Sequence, residues 1–424
     1  MAREIILQKL PVGWSYNLLD NIAERCSGHT PSKSFPEYWN GGIKWISLAD
    51  SCRLDKGYVY ETDKEISLEG IKNSSAEVHP AETVVLSRDA GVGKSGVMAT
   101  PMAVSQHFIA WKCDNKEKLH SWYLYNWLQL NKEEFERQAV GSTIKTIGLP
   151  YFKKLRIAVP PFDEQKKIAQ ILSTWDKAIS VTEKLLTNSQ QQKKALMQQL
   201  LTGKKRLLDE RGGRFSGEWE YTIFGNLGDT YTGLTGKTKE DFGAGKPYIP
   251  YINIFKNSRI DIQNLEYVQV NDDERQSVVK YGDIFFTTSS ETPEEVGMSS
   301  VLLEEVSEVF LNSFCFGFRL NNFETLIPKY ARYLFRSEHV RRQISTLGQG
   351  ATRYNLSKRQ LIKLELKLPC VEEQQKIAAV LSAADAEIST LEKKLACLRD
   401  EKKALMQQLL TGKRRVKVDE AVAE

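Results

Sequence analysis

Residues 164–206 of this chain recur at 373–415 without a gap. Glu164-Gln165 returns as Glu373-Gln374, and the run Lys193 to Lys204 returns unchanged as Lys402 to Lys413. Both matches are displaced by 209 positions (373 − 164 and 402 − 193), and 26 of the 43 aligned positions are identical. A repeat of this length decides the architecture before any local signal does, because each copy must form the same structure. The chain is one unit written twice.

The stretches ahead of each copy agree only in outline. Trp14-Ser15-Tyr16 is echoed by Trp219-Glu220-Tyr221, Trp45-Ile46-Ser47-Leu48 by Tyr251-Ile252-Asn253-Ile254, and Val84-Val85-Leu86-Ser87 by Ile284-Phe285-Phe286-Thr287. Gly141-Ser142-Thr143 stands 209 positions before Gly350-Ala351-Thr352. The order is variable globule, constant segment, variable globule, constant segment. Drift after a simple duplication would not spare half of each copy so selectively, so the pattern suggests one scaffold presenting two specificities.

The constant segments read as long helices. In the second copy Ile377, Ala384, Leu391, Leu398 and Leu405 repeat every seven residues, with Leu381, Ile388, Leu395, Lys402 and Leu409 four residues behind each. That is a coiled-coil seam. The first copy keeps the frame with Ile168, Trp175 and Leu196, and with Leu172, Ile179, Leu186 and Leu200, but sets Thr182 and Ser189 on it. Pro160-Pro161 and Pro369 stand where a helix can start, and Gly203 and Gly412 where it should end. The basic triplets Lys204-Lys205-Arg206 and Lys413-Arg414-Arg415 then complement the helix dipole. Each helix spans about 38 residues, roughly 57 Å. Neither seam suits water, so the helices are expected to pack on each other. Connectivity allows either direction, and an antiparallel pair, which relates the halves by an approximate two-fold axis, suits duplex DNA. Lys193 and Lys402 on the seam read as side chains snorkelling at a helix end.

Composition narrows the class. The chain has 424 residues, 41% hydrophobic and 27% charged, which fits two or more globular domains. No apolar run approaches membrane-spanning length, and Met1-Ala2-Arg3-Glu4-Ile5-Ile6-Leu7 lacks a signal pattern, so a cytoplasmic protein with no membrane partner is expected. The six cysteines are scattered without a C-x-x-C pair and none of the five histidines has a ligand spacing, so no metal is expected on this chain. A net charge of +5 leans towards a polyanion without proving one.

Catalytic motifs fail on inspection. Asp89-Ala90-Gly91-Val92-Gly93-Lys94-Ser95 ends like a phosphate-binding loop, but Arg88 stands where the first glycine belongs and Gly96 to Pro101 reads as extended. Val159-Pro160-Pro161-Phe162 resembles an amino-methyltransferase tetrapeptide, yet Val159 has no group to accept a bond from an amine. Glu365-Leu366-Lys367 lacks a partnered acidic residue. What the globules offer is polar loops after apolar strands: Ser87, Arg88 and Lys94; Ser142, Thr143 and Lys145; Thr287, Thr288 and Ser289; Thr352, Arg353 and Asn355. Such side chains contact phosphates and base edges. They are the candidate DNA-binding residues, and catalytic residues are expected to be absent.

Two variable globules and two near-identical helices, opened by Pro-Pro-Phe-Asp-Glu-Gln or Pro-Cys-Val-Glu-Glu-Gln and closed by Leu-Met-Gln-Gln-Leu-Leu-Thr-Gly-Lys, resemble the specificity subunit of type I restriction–modification systems. The resemblance covers essentially the whole chain. It implies two α/β (α+β) target recognition domains, at 1–158 and 207–367, alternating with helical spacers at 159–206 and 368–415 that pair as an antiparallel coiled coil, and a tail at 416–424. It implies that each recognition domain reads one half of a split double-stranded DNA site. The helices would set the spacing and dock two methyltransferase subunits, which use S-adenosylmethionine; restriction subunits, using ATP and Mg, would join them. The residues available for that pairing and docking are Ile168, Leu172, Trp175, Ile179, Leu186 and Leu196 of the first helix, with Ile377, Leu381, Ile388, Leu391, Leu395, Leu398 and Leu405 of the second. A coiled-coil adaptor without DNA binding is the rival reading, separable by filter binding to random duplex at low salt. A self-sufficient methyltransferase or nuclease is another, separable by assaying the isolated chain.

Overall fold

The computed structural model of the chain describes residues 10–113, 117–350 and 352–418. The opening residues read for signal character, Ala351 and the tail from 419 onward lie outside them. Two compact units emerge, one of Met1–Glu183 with Lys393–Glu424, the other of Lys184–Glu392. Each contains one globule, the start of one long helix and the end of the other.

In the first unit five strands lie side by side in the order Glu24–Ser27, Phe108–Lys112, Val84–Ser87, Ser95–Met98 and Tyr58–Val59. All neighbours are antiparallel except the last pair. The central strands Val84–Ser87 and Ser95–Met98 are buried at every position, as expected for strands covered on both faces. A second sheet sets Trp39–Ile46 between Lys64–Ile66 and Ala103–Val104. Helix Ser121–Leu130 covers the larger sheet with Tyr123, Leu124 and Leu128, which share a core with Trp111, Phe135 and Phe152.

The second unit repeats this plan with different residues. Four antiparallel strands run in the order Gly228–Thr232, Cys315–Leu320, Ile284–Thr287 and Ser299–Val301. Its three-stranded sheet centres on Phe242–Ile249, which has the same length, register shift and alternation of exposure as Trp39–Ile46. This corrects the expected pairing of Trp45-Ile46 with Tyr251-Ile252. The residues occupying the same strand positions are Tyr248-Ile249, whereas Tyr251 begins a short helix, Tyr251–Lys256. Two aromatic-aliphatic pairs stand three residues apart in this sequence, and only pairing of Tyr248 with Glu266 and Phe310 selects between them.

Each globule is tied to its helix by a two-stranded ladder. Ser15–Leu18 pairs with Arg156–Val159, and Glu220–Ile223 with Glu365–Leu368, each just before a long helix begins. The helices span Phe162–Leu200 and Val371–Leu409, 39 residues each. Both end at a glycine with positive φ, Gly203 at 71° and Gly412 at 73°. Lys205 N–H reaches back to Gln199 O and Arg414 N–H to Gln408 O, while Gly203 and Gly412 N–H turn back to Leu200 O and Leu409 O, so carbonyls of each last turn find partners past the glycine.

Within each unit the two helical segments run antiparallel. In the first, Asp176 meets Lys402 (2.5 Å) and Glu183 meets Arg399 (2.7 Å), so one helix number rises as the other falls. In the second, Ser189 donates to Glu387 (2.9 Å) and Lys193 meets Asp385 (2.5 Å), with the same sense. Lys193 and Lys402 therefore hold a carboxylate of the facing helix and do not simply snorkel. The seam is also shared more widely than a two-stranded coil needs. Ile168 and Leu172 pack into the first globule's core with Leu405, Met406 and Leu409, and Ile377 and Leu381 into the second's with Leu196 and Leu200. Trp175, Ile179, Leu186, Ile388, Leu391 and Leu398 stay half-buried, and Leu395 is buried. No helix among the described residues is long and apolar enough to cross a membrane.

Candidate nucleic-acid interface

The constant motif performs a joining task that its sequence did not disclose. Glu164, buried at the start of the first helix, accepts two bonds of 2.8 Å from Arg415, which lies beyond the end of the second. Glu373 accepts 2.6 and 2.7 Å bonds from Arg206 in the same way, with a third from the Trp219 indole at 3.3 Å. Fork-to-carboxylate pairs of this kind combine charge with fixed orientation. The last arginine of each basic triplet thus closes a helix end onto a helix start, a more specific role than the expected dipole complement. The neighbouring glutamines fasten the globule. Gln165 donates to Lys118 O and Pro160 O and accepts from His120 N–H, while Gln374 donates to Thr325 O and Pro369 O and accepts from Ile327 N–H. The shared offset of 209 that joins Glu164 to Glu373 also joins Arg206 to Arg415, and that was the available signal.

On this frame the fold brings the candidate loops together in pairs. In the first unit the turn after Val84–Ser87 meets the segment 140–146. Val140 and Thr146 exchange backbone bonds of 3.0 Å, and Ile147 N–H donates to Arg88 O at 2.9 Å. The tip Gly141-Ser142-Thr143-Ile144-Lys145 is exposed along its whole length. It flanks a cavity of about 350 Å³ lined by Ala90, Gly91, Glu136, Thr143, Ile144 and Lys145, among others. Gly141 has φ 139°, and a Cβ there would stand 2.2 Å from Ile144 O, so only glycine makes this turn.

The second unit repeats the device. Ser289-Ser290 pairs with Tyr354-Asn355, Gln349 and Asn355 exchange backbone bonds of 3.0 and 2.8 Å, and Leu356 N–H donates to Thr288 O. Gly350 has φ 133°, with Arg353 O 2.0 Å from where a Cβ would be. Thr352, Arg353 and Asn355 are exposed at this tip.

The candidates therefore separate. Ser142, Thr143, Lys145, Thr352, Arg353 and Asn355 face solvent. Ser87 and Thr287 do not, and here the expectation of direct contact is corrected. Both are buried, Ser87 donating to Asp89 O at 2.6 Å and Thr287 Oγ1 accepting from Met298 N–H at 3.0 Å. Each shapes the loop from inside, because a hydroxyl ending a buried strand must find a backbone partner. Lys94 is spent on Ser51 Oγ at 2.8 Å and Thr288 on Phe314 O at 2.8 Å, while Ser289 is half-buried. Arg88 is half-buried 3.8 Å from Asp89, which itself bonds His107 at 2.8 Å, and among the described residues its Nε has no hydrogen-bond partner. The loop Ala90–Lys94 leads into the strand Ser95–Met98, so no helix N-terminus follows Lys94 to face a phosphate.

Two half-buried arginines brace the second unit's loops. Arg341 donates to Glu294 O, Val296 O and Gly297 O, and Arg336 to Ile254 O, Phe255 O, Asn257 O and Ser299 O. Burial pulls both guanidinium groups down to about 10. They were not singled out in the sequence, where an arginine on or beside a helix reads as surface.

Comparison with known proteins agrees with this arrangement. The family model described as type I restriction modification DNA specificity domain matches residues 11–188 and again 217–398. The type I restriction enzyme MjaVIII specificity subunit of Methanocaldococcus jannaschii is 25% identical over 394 residues, covering 85% of this chain and 87% of that one. The crystal structure of a type I restriction–modification S subunit from M. genitalium superposes with a TM-score of 0.55 at 15% identity, covering 94% of this chain and 96% of that one. A chain solved in work on complex assembly and conformational transition of the type I R-M system gives 0.59 at 16% identity, covering 96% and 100%. At such identities the two solved structures speak for the fold.

Proposed function

Because the chain belongs to the type I restriction modification DNA specificity family and carries its domain twice, we propose that each copy reads one half of a split duplex-DNA site. Members of this family are specificity subunits, which are non-catalytic, bind DNA and assemble with other subunits that hold the catalytic activities. One observation carries the finer reading. The same loop pair recurs in both units with different exposed side chains, Ser142, Thr143 and Lys145 in one and Thr352, Arg353 and Asn355 in the other. A shared frame with unlike tips suits two unlike half-sites, since base-edge contacts specify while phosphate contacts only position.

In this reading the helical segments set the gap between the half-sites and dock two methyltransferase subunits, to which restriction subunits add. S-adenosylmethionine, ATP and Mg²⁺ are used on those partners, and the assembly works in the cytoplasm, where its DNA lies. The test is to reconstitute the complex and map methylated sites. Arg353→Ala should relax or weaken one half-site, by about 1–3 kcal/mol if the contact is to a base, and leave the other unchanged. Equal loss at both half-sites would overturn the modular reading.

A further inference from the structure

Three side chains that the sequence keeps far apart converge in the first unit. Cys26 lies on the strand Glu24–Ser27, and Glu77 and His79 on the connection between helix Leu68–Lys72 and strand Val84–Ser87. The Cys26 sulfur, a Glu77 oxygen and a His79 ring nitrogen all lie within 4.8 Å of one another. His79 is fully buried, and among the described residues neither of its ring nitrogens has a hydrogen-bond partner. A buried imidazole left unbonded at both nitrogens is uncommon and calls for an explanation. Its backbone is held in place, because His79 N–H donates to Met102 O at 2.8 Å and its carbonyl accepts from Met102 N–H at 3.0 Å. Cys26 is fixed by its strand, paired with Ala110.

We propose that Cys26, Glu77 and His79 form a binding site for one zinc ion. Thiolate, imidazole and carboxylate together are a zinc donor set, whereas magnesium and calcium take oxygen alone. Bond lengths of about 2.0–2.3 Å put tetrahedral donors roughly 3.3–3.7 Å apart, so the three need to close by about 1 Å. Glu77 is the exposed member, free to make that movement and to leave a way in. The fourth position falls to water.

Charge supports the assignment. Lys112 holds Glu24 at 2.9 Å beside Cys26. With the ion bound, Zn²⁺ and the Lys112 ammonium are balanced by the Cys26 thiolate, Glu77 and Glu24. The thiol proton leaves to solvent on binding, as it must for any thiolate ligand. Without the ion, burial holds the Cys26 thiol above its ordinary range and the His79 ring below its own. The ion would staple the segment around residues 77–79 to the edge strand Glu24–Ser27, a structural task separate from DNA reading.

The experiment uses the full-length protein, stripped with a chelator and titrated with Co²⁺, whose thiolate charge-transfer band in the near ultraviolet reports sulfur ligation. One equivalent should give the band, and Zn²⁺ should displace it. Cys26→Ser should abolish it. His79→Phe keeps an aromatic ring in the buried space, and Glu77→Gln alters an exposed group, so both should fold. Each should weaken binding about tenfold or more, the scale seen when a metal's surroundings are disturbed. Absence of the band in the unaltered protein overturns the proposal. So does a band of equal strength in Cys26→Ser, which would assign it to exposed Cys52, Cys370 or Cys397, or an unchanged affinity in His79→Phe, which would take the imidazole out of the site.

Discussion

Single side chains carry more than their type suggests. Glu373 is fully buried and depends on Arg206, so Arg206→Ala leaves a carboxylate inside the protein with only the Trp219 indole. Breaking such a pair from one side costs about 3–5 kcal/mol, while replacing both partners by apolar groups is often neutral. Arg206→Ala should therefore lower the melting temperature of its unit well beyond the double change Arg206→Met with Glu373→Met. Equal melting of the two variants would show that the pair organises nothing. Two histidines give a pH dependence. Burial lowers the pKa of both His79 and His120, and His120 Nδ1 must be unprotonated to accept the 3.2 Å bond from Trp122 N–H. The unfolded chain binds a proton on each near pH 6.5, where the folded one does not. Stability is thus full above about pH 6.5 and declines as pH falls below it. Melting of the metal-free protein between about pH 7.5 and 5 should show that decline, with a shallower slope in His79→Phe.

Among the elements, the loop tips and the helical seam behave differently. Gly141 and Gly350 adopt φ values near the edge of the left-handed region, with a carbonyl oxygen where a side chain would begin. Gly350→Ala should strain its loop by about 1–3 kcal/mol. Methylation mapping should then show one half-site weakened and the other intact, with secondary structure unchanged by circular dichroism. The seam tolerates Thr182 and Ser189 because each finds a partner, Ala178 O at 2.8 Å and Glu387 at 2.9 Å. It tolerates Lys193 and Lys402 because Asp385 and Asp176 face them. The heptad pattern showed where a seam lay, but not that its ends belong to the globule cores.

For the whole molecule, the proposed spacing role has a measurable consequence. Seven residues inserted in each helix, after Leu186 and after Leu395, preserve the heptad frame, whereas two would rotate the apolar stripe off its partner. Seven residues add about 10 Å of helix, or roughly three base pairs at ~3.4 Å each. The reconstituted complex should methylate sites with the same half-sites and a longer gap, or lose activity because the second globule meets another face of the duplex. Full activity at the original gap would show that the helices are not the ruler.

The sequence alone determined the duplication, the two long helices with their starts and stops, and the polar tips at 141–145 and 352–355. These are local or periodic properties: proline and glycine act on neighbouring backbone, and a heptad is visible in one dimension. Tertiary structure decided the rest. It chose Tyr248 over Tyr251 as the counterpart of Trp45, because strand pairing and not residue type sets a register. It withdrew Ser87 and Thr287 from the surface, since a strand end is exposed or buried only according to what packs on it. It joined Glu164 to Arg415 and Glu373 to Arg206 across 251 and 167 positions, and gathered Cys26 with Glu77 and His79. Apart from the 209-position repeat that relates the two Glu–Arg pairs, contacts between residues so far apart in the chain leave no spacing to read, because distance along a sequence constrains distance in space only while the chain between them stays extended or helical.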